Sequence, residues 1–201
     1  MRLHSSDASP FVRKVRVLLI ETGQADEVEI VPEQVTPLDL EPGFTANPLT
    51  RLPCLERGDG PALYDSRVIT RFLDDRAGGG FYPDPPRLWE CLTLEATADG
   101  MLDSAVLMRY ETAMRPEALR FERFLEAQWG KIARALDVLD SRWGAYLAGP
   151  LCMGQIALGC ALGYLDFRHP GREWRTGRTG LADWYARFAE RESMQQTVPR
   201  G

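Results

Sequence analysis

Lysine, histidine and closely spaced cysteine are scarce in this chain. Of its 24 basic residues only Lys14 and Lys131 are lysine, and the arginines are scattered among 29 acidic residues rather than gathered into a stripe. With a net charge of −5, this removes the electrostatic footprint of a nucleic-acid-binding protein. His4 and His169 are far apart in sequence, and the four cysteines, Cys54, Cys91, Cys152 and Cys160, form no CxxC pair. Neither a metal motif nor a dense disulfide framework is indicated, and the cysteines read as reduced intracellular thiols. Met1-Arg2-Leu3-His4-Ser5-Ser6-Asp7 is not followed by an apolar run of signal-peptide length, so a cytoplasmic location is expected. Trp143 to Leu165 is uncharged and carries Gly159 and Gly163 at GxxxG spacing, but Gly149-Pro150 interrupts it. The remaining stretch of about 15 residues makes roughly 22 Å of helix against a hydrocarbon core of about 30 Å. It is expected to be a buried core helix, and no membrane partner is expected.

What is present suits a folded chain. The 201 residues, 44% apolar and 26% charged, are enough for one large domain or two small ones with a real core. Residues 1–77 alternate strand and helix signals in the order β-α-β, loop, β-β-α. Arg2 to Ser5 opens as a strand, Pro10 to Gly23 carries Phe11, Val12, Val15, Leu18 and Leu19 at helical spacing, and Val28 to Val31 forms a second strand. Pro32 to Pro53 has five prolines, Pro42 among them, and reads as a loop around a short helical turn. Cys54 to Glu56 and Ala62 to Tyr64 predict two short strands, and Ser66 starts a helix whose Val68, Ile69, Phe72 and Leu73 face inward. Residues 78–86, rich in Gly and Pro, form a linker. Residues 87–201 then predict an all-helical domain: Arg87 to about Thr112, Pro116 to about Tyr146, Leu151 to Asp166, and Leu181 to Arg191. In the last of these, Leu181, Trp184, Tyr185 and Phe188 fall on one face.

Several positions carry chemistry, each with a plain structural alternative. Ser9 before Pro10 is an N-cap followed by Pro at N1, and the same geometry presents free amides and a positive dipole end to an anion. Arg13, Lys14 and Arg16 oppose that dipole and are expected on the solvated surface unless they meet carboxylates. Pro53 can begin a strand. Asp65-Ser66 can cap the following helix or bind a charged ligand at its N-terminus. Glu95, Asp99 and Asp103, at i, i+4 and i+8, predict a solvated face. No histidine joins them, so no metal is expected. Met108, Tyr110 and Met114 can line a pocket or pack in the core. Cys152 is a poor cap for the apolar helix, with Gln155 three residues on, and about 1 kcal/mol of capping is expected to be missing.

Four segments in order resemble a cytosolic glutathione transferase of the serine-using bacterial type. They are Ser6-Asp7-Ala8-Ser9-Pro10-Phe11-Val12-Arg13-Lys14-Val15-Arg16, then Asn47-Pro48-Leu49-Thr50-Arg51-Leu52-Pro53-Cys54-Leu55, then Leu63-Tyr64-Asp65-Ser66, and finally Trp184-Tyr185-Ala186-Arg187-Phe188 with Arg191-Glu192-Ser193-Met194. The second differs from the family pattern in having Thr50-Arg51 where Gly-Lys is usual. The resemblance implies a thioredoxin-like N-terminal domain, an all-helical C-terminal domain and a homodimer. It implies that Ser9, with Ser5 and Ser6 as rivals, hydrogen-bonds the glutathione thiolate, and that Phe11, Arg51, Leu52, Pro53, Asp65 and Ser66 bind glutathione. It also implies a cis Leu52-Pro53 peptide, and Asp99 or Asp103 reaching across the dimer to the γ-glutamyl ammonium.

The expected activity is transfer of glutathione, as co-substrate, to a small hydrophobic electrophile, a detoxification chemistry without a metal. Glutathione-dependent disulfide reduction and non-catalytic ligand or partner binding are the alternatives.

Overall fold

The computed structural model describes residues 1–40 and 43–201; Pro42, which belongs to the expected loop, lies outside them. The chain divides into two compact units, residues 1–84 with 192–201, and residues 85–191.

The first unit is built on a four-stranded sheet in the order β2-β1-β3-β4. Strand β1 (Arg2–Ser5) runs parallel to β2 (Glu29–Pro32) and antiparallel to β3 (Cys54–Arg57), which pairs antiparallel with β4 (Gly60–Leu63). The parallel pair needs a crossover, which helix α1 (Pro10–Glu21) supplies. Arg57 pairs with Gly60 across the two-residue turn Gly58-Asp59, so β4 begins two residues earlier than the apolar pattern indicates. Leu3, Cys54 and Leu55 are fully buried in this sheet.

Helix α1 is buried nearly all round: Val12, Val15, Val17, Leu18 and Leu19, but also Arg13 and Lys14. The expectation of solvated basic residues is therefore wrong for these two. The Arg13 guanidinium donates to the Met194 carbonyl at 3.0 Å and to Thr197 Oγ1 at 3.4 Å. It thereby holds the last short helix of the chain, Glu192–Gln196, against α1 in the first unit. A cation at the carbonyl end of a helix also suits its dipole. The sequence reading, by contrast, assigned this tail to the helical domain. Arg16 does meet a carboxylate, Asp7, at 2.5 Å.

Helix α2 (Ser66–Arg76) buries Ser66, Ile69, Thr70, Leu73 and Asp74, an i, i+3, i+4, i+7 stripe. Val68 lies off that stripe and is exposed, contrary to the expectation. Buried Asp74 accepts the amides of Phe81 (2.9 Å) and Tyr82 (3.1 Å), which fastens the glycine-rich segment after the helix.

The second unit contains α3 (Arg87–Met114), α4 (Glu122–Arg142), α5 (Gly144–Leu147), α6 (Met153–Arg168) and α7 (Thr179–Ala189). The single helix expected from Pro116 to Tyr146 is broken at both ends. Residues Glu117–Leu119 form a tight turn after Pro116, and Trp143 separates α4 from α5. Every residue of α6 from Met153 to Leu165 is buried, and no helix among the described residues is long and apolar enough to cross a membrane. On α3, Glu95 and Asp99 are buried and engaged by neighbouring groups, so the solvated face expected there is confined to Asp103.

The start of α6 is better capped than Cys152 suggests. Gln155 Oε1 accepts the Cys152 amide at 2.7 Å, while the Cys152 sulfur takes the Gln155 amide in return. A hydrogen bond from the Cys91 thiol, helped by the Tyr146 hydroxyl at 3.5 Å and the amides of Gln155 and Gly154, pulls the Cys152 thiol down against its burial. The box closes with cysteine in the capping place because its sulfur is held among these donors.

Helices α3 and α6 pack tightly at Gly154, where an added Cβ would lie 2.7 Å from the Cys91 carbonyl oxygen and 2.9 Å from Leu94 Cβ. Both obstacles are rigid, so the overpacking has nowhere to relax. Gly154→Ala is expected to destabilise the protein by about 1–3 kcal/mol despite alanine's better helix propensity. Urea unfolding checks this; a variant as stable as the parent contradicts the close contact.

Candidate functional site

The first unit presents the N-termini of two helices. Ser9 is the N-cap of α1: its Oγ accepts the Val12 amide at 3.3 Å, and Pro10 occupies the first helical position. The turn before it is held by the Ser9 amide donating to the Ser6 carbonyl at 3.0 Å. Ser6 and Ser9 are partly exposed, whereas Ser5, at the end of β1, is 2% exposed. The Ser5 Oγ is buried with no hydrogen-bond partner among the described residues. Phe11 is partly exposed in the first turn of α1.

Asp65 is the N-cap of α2, accepting the Arg67 amide at 3.0 Å and pairing with its guanidinium at 2.9 Å. Partial burial pushes its carboxyl up, but these hydrogen bonds and the charges of Arg67 and Lys14 outweigh that and hold it below the usual carboxylate range. Ser66, the first helical residue, is 3% exposed. Lys14 has no exposed surface, and its Nζ lies 3.4 Å from Ser66 Oγ. A buried ammonium thus stands behind the N-terminus of α2 and adds to its positive dipole.

Asn47 shapes the loop before β3. Its Nδ2 donates to the Arg51 carbonyl at 2.8 Å and its Oδ1 accepts the Leu49 amide at 2.9 Å. Thr50 sits at φ 52°, in the left-handed region that costs a β-branched residue most. Arg51 is exposed, Leu52 partly so, Pro53 is buried, and the Leu52-Pro53 and Tyr64-Asp65 peptides are cis.

The remaining sequence candidates lie on α3 in the second unit. Met108 is 2% exposed, so its side chain belongs to the core and not to an open pocket wall. Tyr110 is exposed and Met114 partly so; Asp99 is buried and Asp103 exposed. Among the described residues no group of three or more His, Cys, Asp or Glu side chains is arranged to hold a metal ion. The residue that sequence reasoning missed is Lys14. Its signal was present: α1 is so apolar around its circumference that few of its positions could remain in solvent.

Lys14 gives a direct test. If its charge contributes little to folding, Lys14→Met, which keeps the volume and removes the charge, melts within a few degrees of the parent or above it. Lys14→Ala, which leaves a cavity, is expected to lose about 2–4 kcal/mol. Thermal and urea unfolding of both variants distinguish the two roles; equal losses would mean that the ammonium itself holds the fold.

The family model described as "Glutathione S-transferase, N-terminal domain" matches residues 8–76, and that described as "Glutathione S-transferase, C-terminal domain" matches residues 122–187. A protein of Escherichia coli K12, known as the uncharacterized GST-like protein YibF, is 33% identical over 99% of this chain and 98% of its own length. A crystal structure of a glutathione transferase family member from Pseudomonas fluorescens Pf-5 with bound glutathione is 44% identical, with a TM-score of 0.94 over 100% of this chain and 99% of that one. The same Pseudomonas protein with bound S-(propanoic acid)-glutathione gives a TM-score of 0.93 at 44% identity, covering 100% of both chains. A glutathione S-transferase from Methylobacillus flagellatus with glutathione bound is 33% identical, with a TM-score of 0.86 over 99% of each chain. With both domain models matched and a relative aligned end to end, the chain belongs to the glutathione S-transferase family.

Proposed function

We propose that the protein binds glutathione on its first unit, ionises the thiol, and directs the thiolate at a small electrophile. The observation that carries this reading is the pair of helix N-termini, one capped by Ser9 and the other formed by Asp65 and Ser66 with Lys14 behind them. Each offers amides and a positive dipole end to an anion, and glutathione as a thiolate brings anions to both. Ser66 takes the γ-glutamyl carboxylate, with Lys14 as the buried counter-charge. Asp65, held ionised, takes the γ-glutamyl ammonium. The loop Arg51-Leu52-Pro53, tied by Asn47, lies along the peptide portion, and Phe11 packs beside it.

A free thiol of pKa near 8.5 is mostly protonated at neutral pH. Lowering it by about two units takes roughly 2.7 kcal/mol of preferential thiolate stabilisation. One charge-assisted hydrogen bond from a serine together with the α1 terminus is of that size. The thiol proton leaves to solvent, the sulfur lone pair forms the new carbon–sulfur bond, and the electrophile's displaced electron pair goes to its leaving group or takes up a proton. The S-substituted glutathione carried by the Pseudomonas relative is a thioether of the kind such an attack produces, and supports transfer over disulfide reduction. Of the residues offered for the electrophile, Tyr110 and Met114 are the two on α3 that reach the surface. In a homodimer, Asp103, exposed on that helix, is the better placed of the two carboxylates to serve a partner's γ-glutamyl ammonium. Four cysteines, none joined in a disulfide, suit the reducing cytoplasm.

The test is the ionisation of bound glutathione, followed by thiolate absorbance. In Ser9→Ala the titration is expected to move up by about one pH unit, equivalent to ~1.4 kcal/mol, with a matching loss of rate at neutral pH. If Ser9→Ala leaves it in place and Ser5→Ala moves it, the buried, unpartnered Ser5 hydroxyl is the donor. If Ser5, Ser6 and Ser9 can each be replaced without effect, thiolate stabilisation by a serine is wrong.

A further inference from the structure

Two of the four cysteines meet in the helical unit, although they are far apart in the chain. Cys91 lies in the second turn of α3 and Cys152 caps α6, and the two thiols are hydrogen-bonded to each other. The Gly154 amide reaches both sulfurs, which places them around a single N–H group. The backbone beneath them is fixed as well. The Cys91 carbonyl and Leu94 crowd the place where a Gly154 side chain would stand, so α3 has no room to slide along the start of α6.

Both sulfurs are buried, Cys91 at 0% and Cys152 at 1% exposure, but surface residues stand over them. The Tyr146 hydroxyl lies 3.5 Å from the Cys152 sulfur and donates to the Arg87 carbonyl at 3.3 Å, and Tyr146 and Arg87 are both partly exposed. Gln155 Nε2 donates to the carbonyls of Leu147 and Gly149, which folds the exposed residues Ala148, Gly149 and Pro150 back towards the cap. The other two thiols have a different setting. Cys54 is fully buried in β3 of the first unit, where burial and then the charge of Glu56 push its thiol up to about 11. Cys160 lies within the wholly buried stretch of α6.

We propose that Cys91 and Cys152 are a reversible oxidation site, closed to a disulfide by a small peroxide and reopened by a thiol reductant. The site lies entirely in the helical unit and is independent of the transferase reading above. Cys152, with the amides of a helix N-terminus around its sulfur, attacks one peroxide oxygen. The O–O bond breaks, the other oxygen leaves as water with the thiol proton, and Cys152 becomes a sulfenic acid. The Cys91 sulfur then displaces that hydroxyl as a second water and forms the S–S bond. Two thiols thus lose two hydrogens and two electrons, and the peroxide gains them. Because the second sulfur already touches the first, bridging needs no encounter between distant groups. The bridge ties the start of α3 to the start of α6 and takes the thiol from the α6 cap.

The test is treatment of the folded, reduced protein with hydrogen peroxide, followed by non-reducing peptide mapping by mass spectrometry. A linked Cys91–Cys152 peptide pair is expected, forming about tenfold or more faster than any oxidation of Cys54 or Cys160 and returning to two thiols with dithiothreitol. Cys152→Ser, which puts a preferred capping residue at the α6 N-terminus, is expected to lose the bridge, with Cys91 then reacting no faster than Cys54. In Cys91→Ala, Cys152 is expected to stop as a sulfenic acid that dimedone traps. Peroxide that leaves both sulfurs as thiols, or that carries Cys152 to a sulfinic acid with no bridge formed, overturns the site. So do equal rates at all four cysteines, the mark of reaction through unfolding, and a bridge from either residue to another chain. The measurement on the parent protein decides the matter even if a variant fails to fold.

Discussion

The first unit is organised around a lysine that has no contact with water. Burying an ammonium costs several kcal/mol unless the surroundings supply compensation. Lys14 meets this on α1 by reaching the first residue of α2, where Ser66 Oγ lies 3.4 Å away and the Asp65 carboxylate feels its charge. The two helices that offer anion-binding ends are thereby tied to each other by a polar contact as well as by their apolar stripes. A positive charge placed behind an already positive helix terminus is poor design for stability and good design for an anion. The arrangement makes most sense with a ligand carboxylate at Ser66, and that is the physical core of the functional proposal.

The helical unit follows the same logic on a different scale. Its centre is α6, apolar on every side, against which α3 packs so closely at Gly154 that only hydrogen fits on that carbon. Such packing leaves little freedom in where α3 and α6 carry their outer residues. At one end this brings Cys91, Cys152 and Tyr146 into a hydrogen-bonded cluster.

Much of this was legible in the residues. Helical spacing gave α1 and α2, glycine and proline marked the segment after α2, and the uncharged run before Leu165 was recognisable as a core helix. What sequence periodicity could not show was the fate of charged groups. Arg13, Lys14, Glu95 and Asp99 all looked like surface residues because charge usually seeks water. Arg13 and Lys14 are buried because neighbours distant in sequence receive them, as Met194 and Thr197 receive Arg13 across some 180 residues, and Glu95 and Asp99 are engaged by groups around them. Val68 erred in the other direction: it is apolar, but one step off the buried stripe of α2. Cys152 misled through its surroundings, since a cysteine alone is a poor cap and one held by Cys91, Tyr146 and the reciprocal bond of Gln155 is not. The four-segment resemblance identified the family where no single motif would have, while helical position alone left Met108 open between a pocket wall and the core, where it lies.

The most direct test of the central claim is a calorimetric comparison of glutathione with γ-aminobutyryl-cysteinyl-glycine, which lacks only the γ-glutamyl carboxylate. If Ser66, the α2 terminus and Lys14 together receive that carboxylate, glutathione binds more tightly by about 1.5–3 kcal/mol, roughly ten- to a hundredfold. Equal affinity for the two would contradict the account.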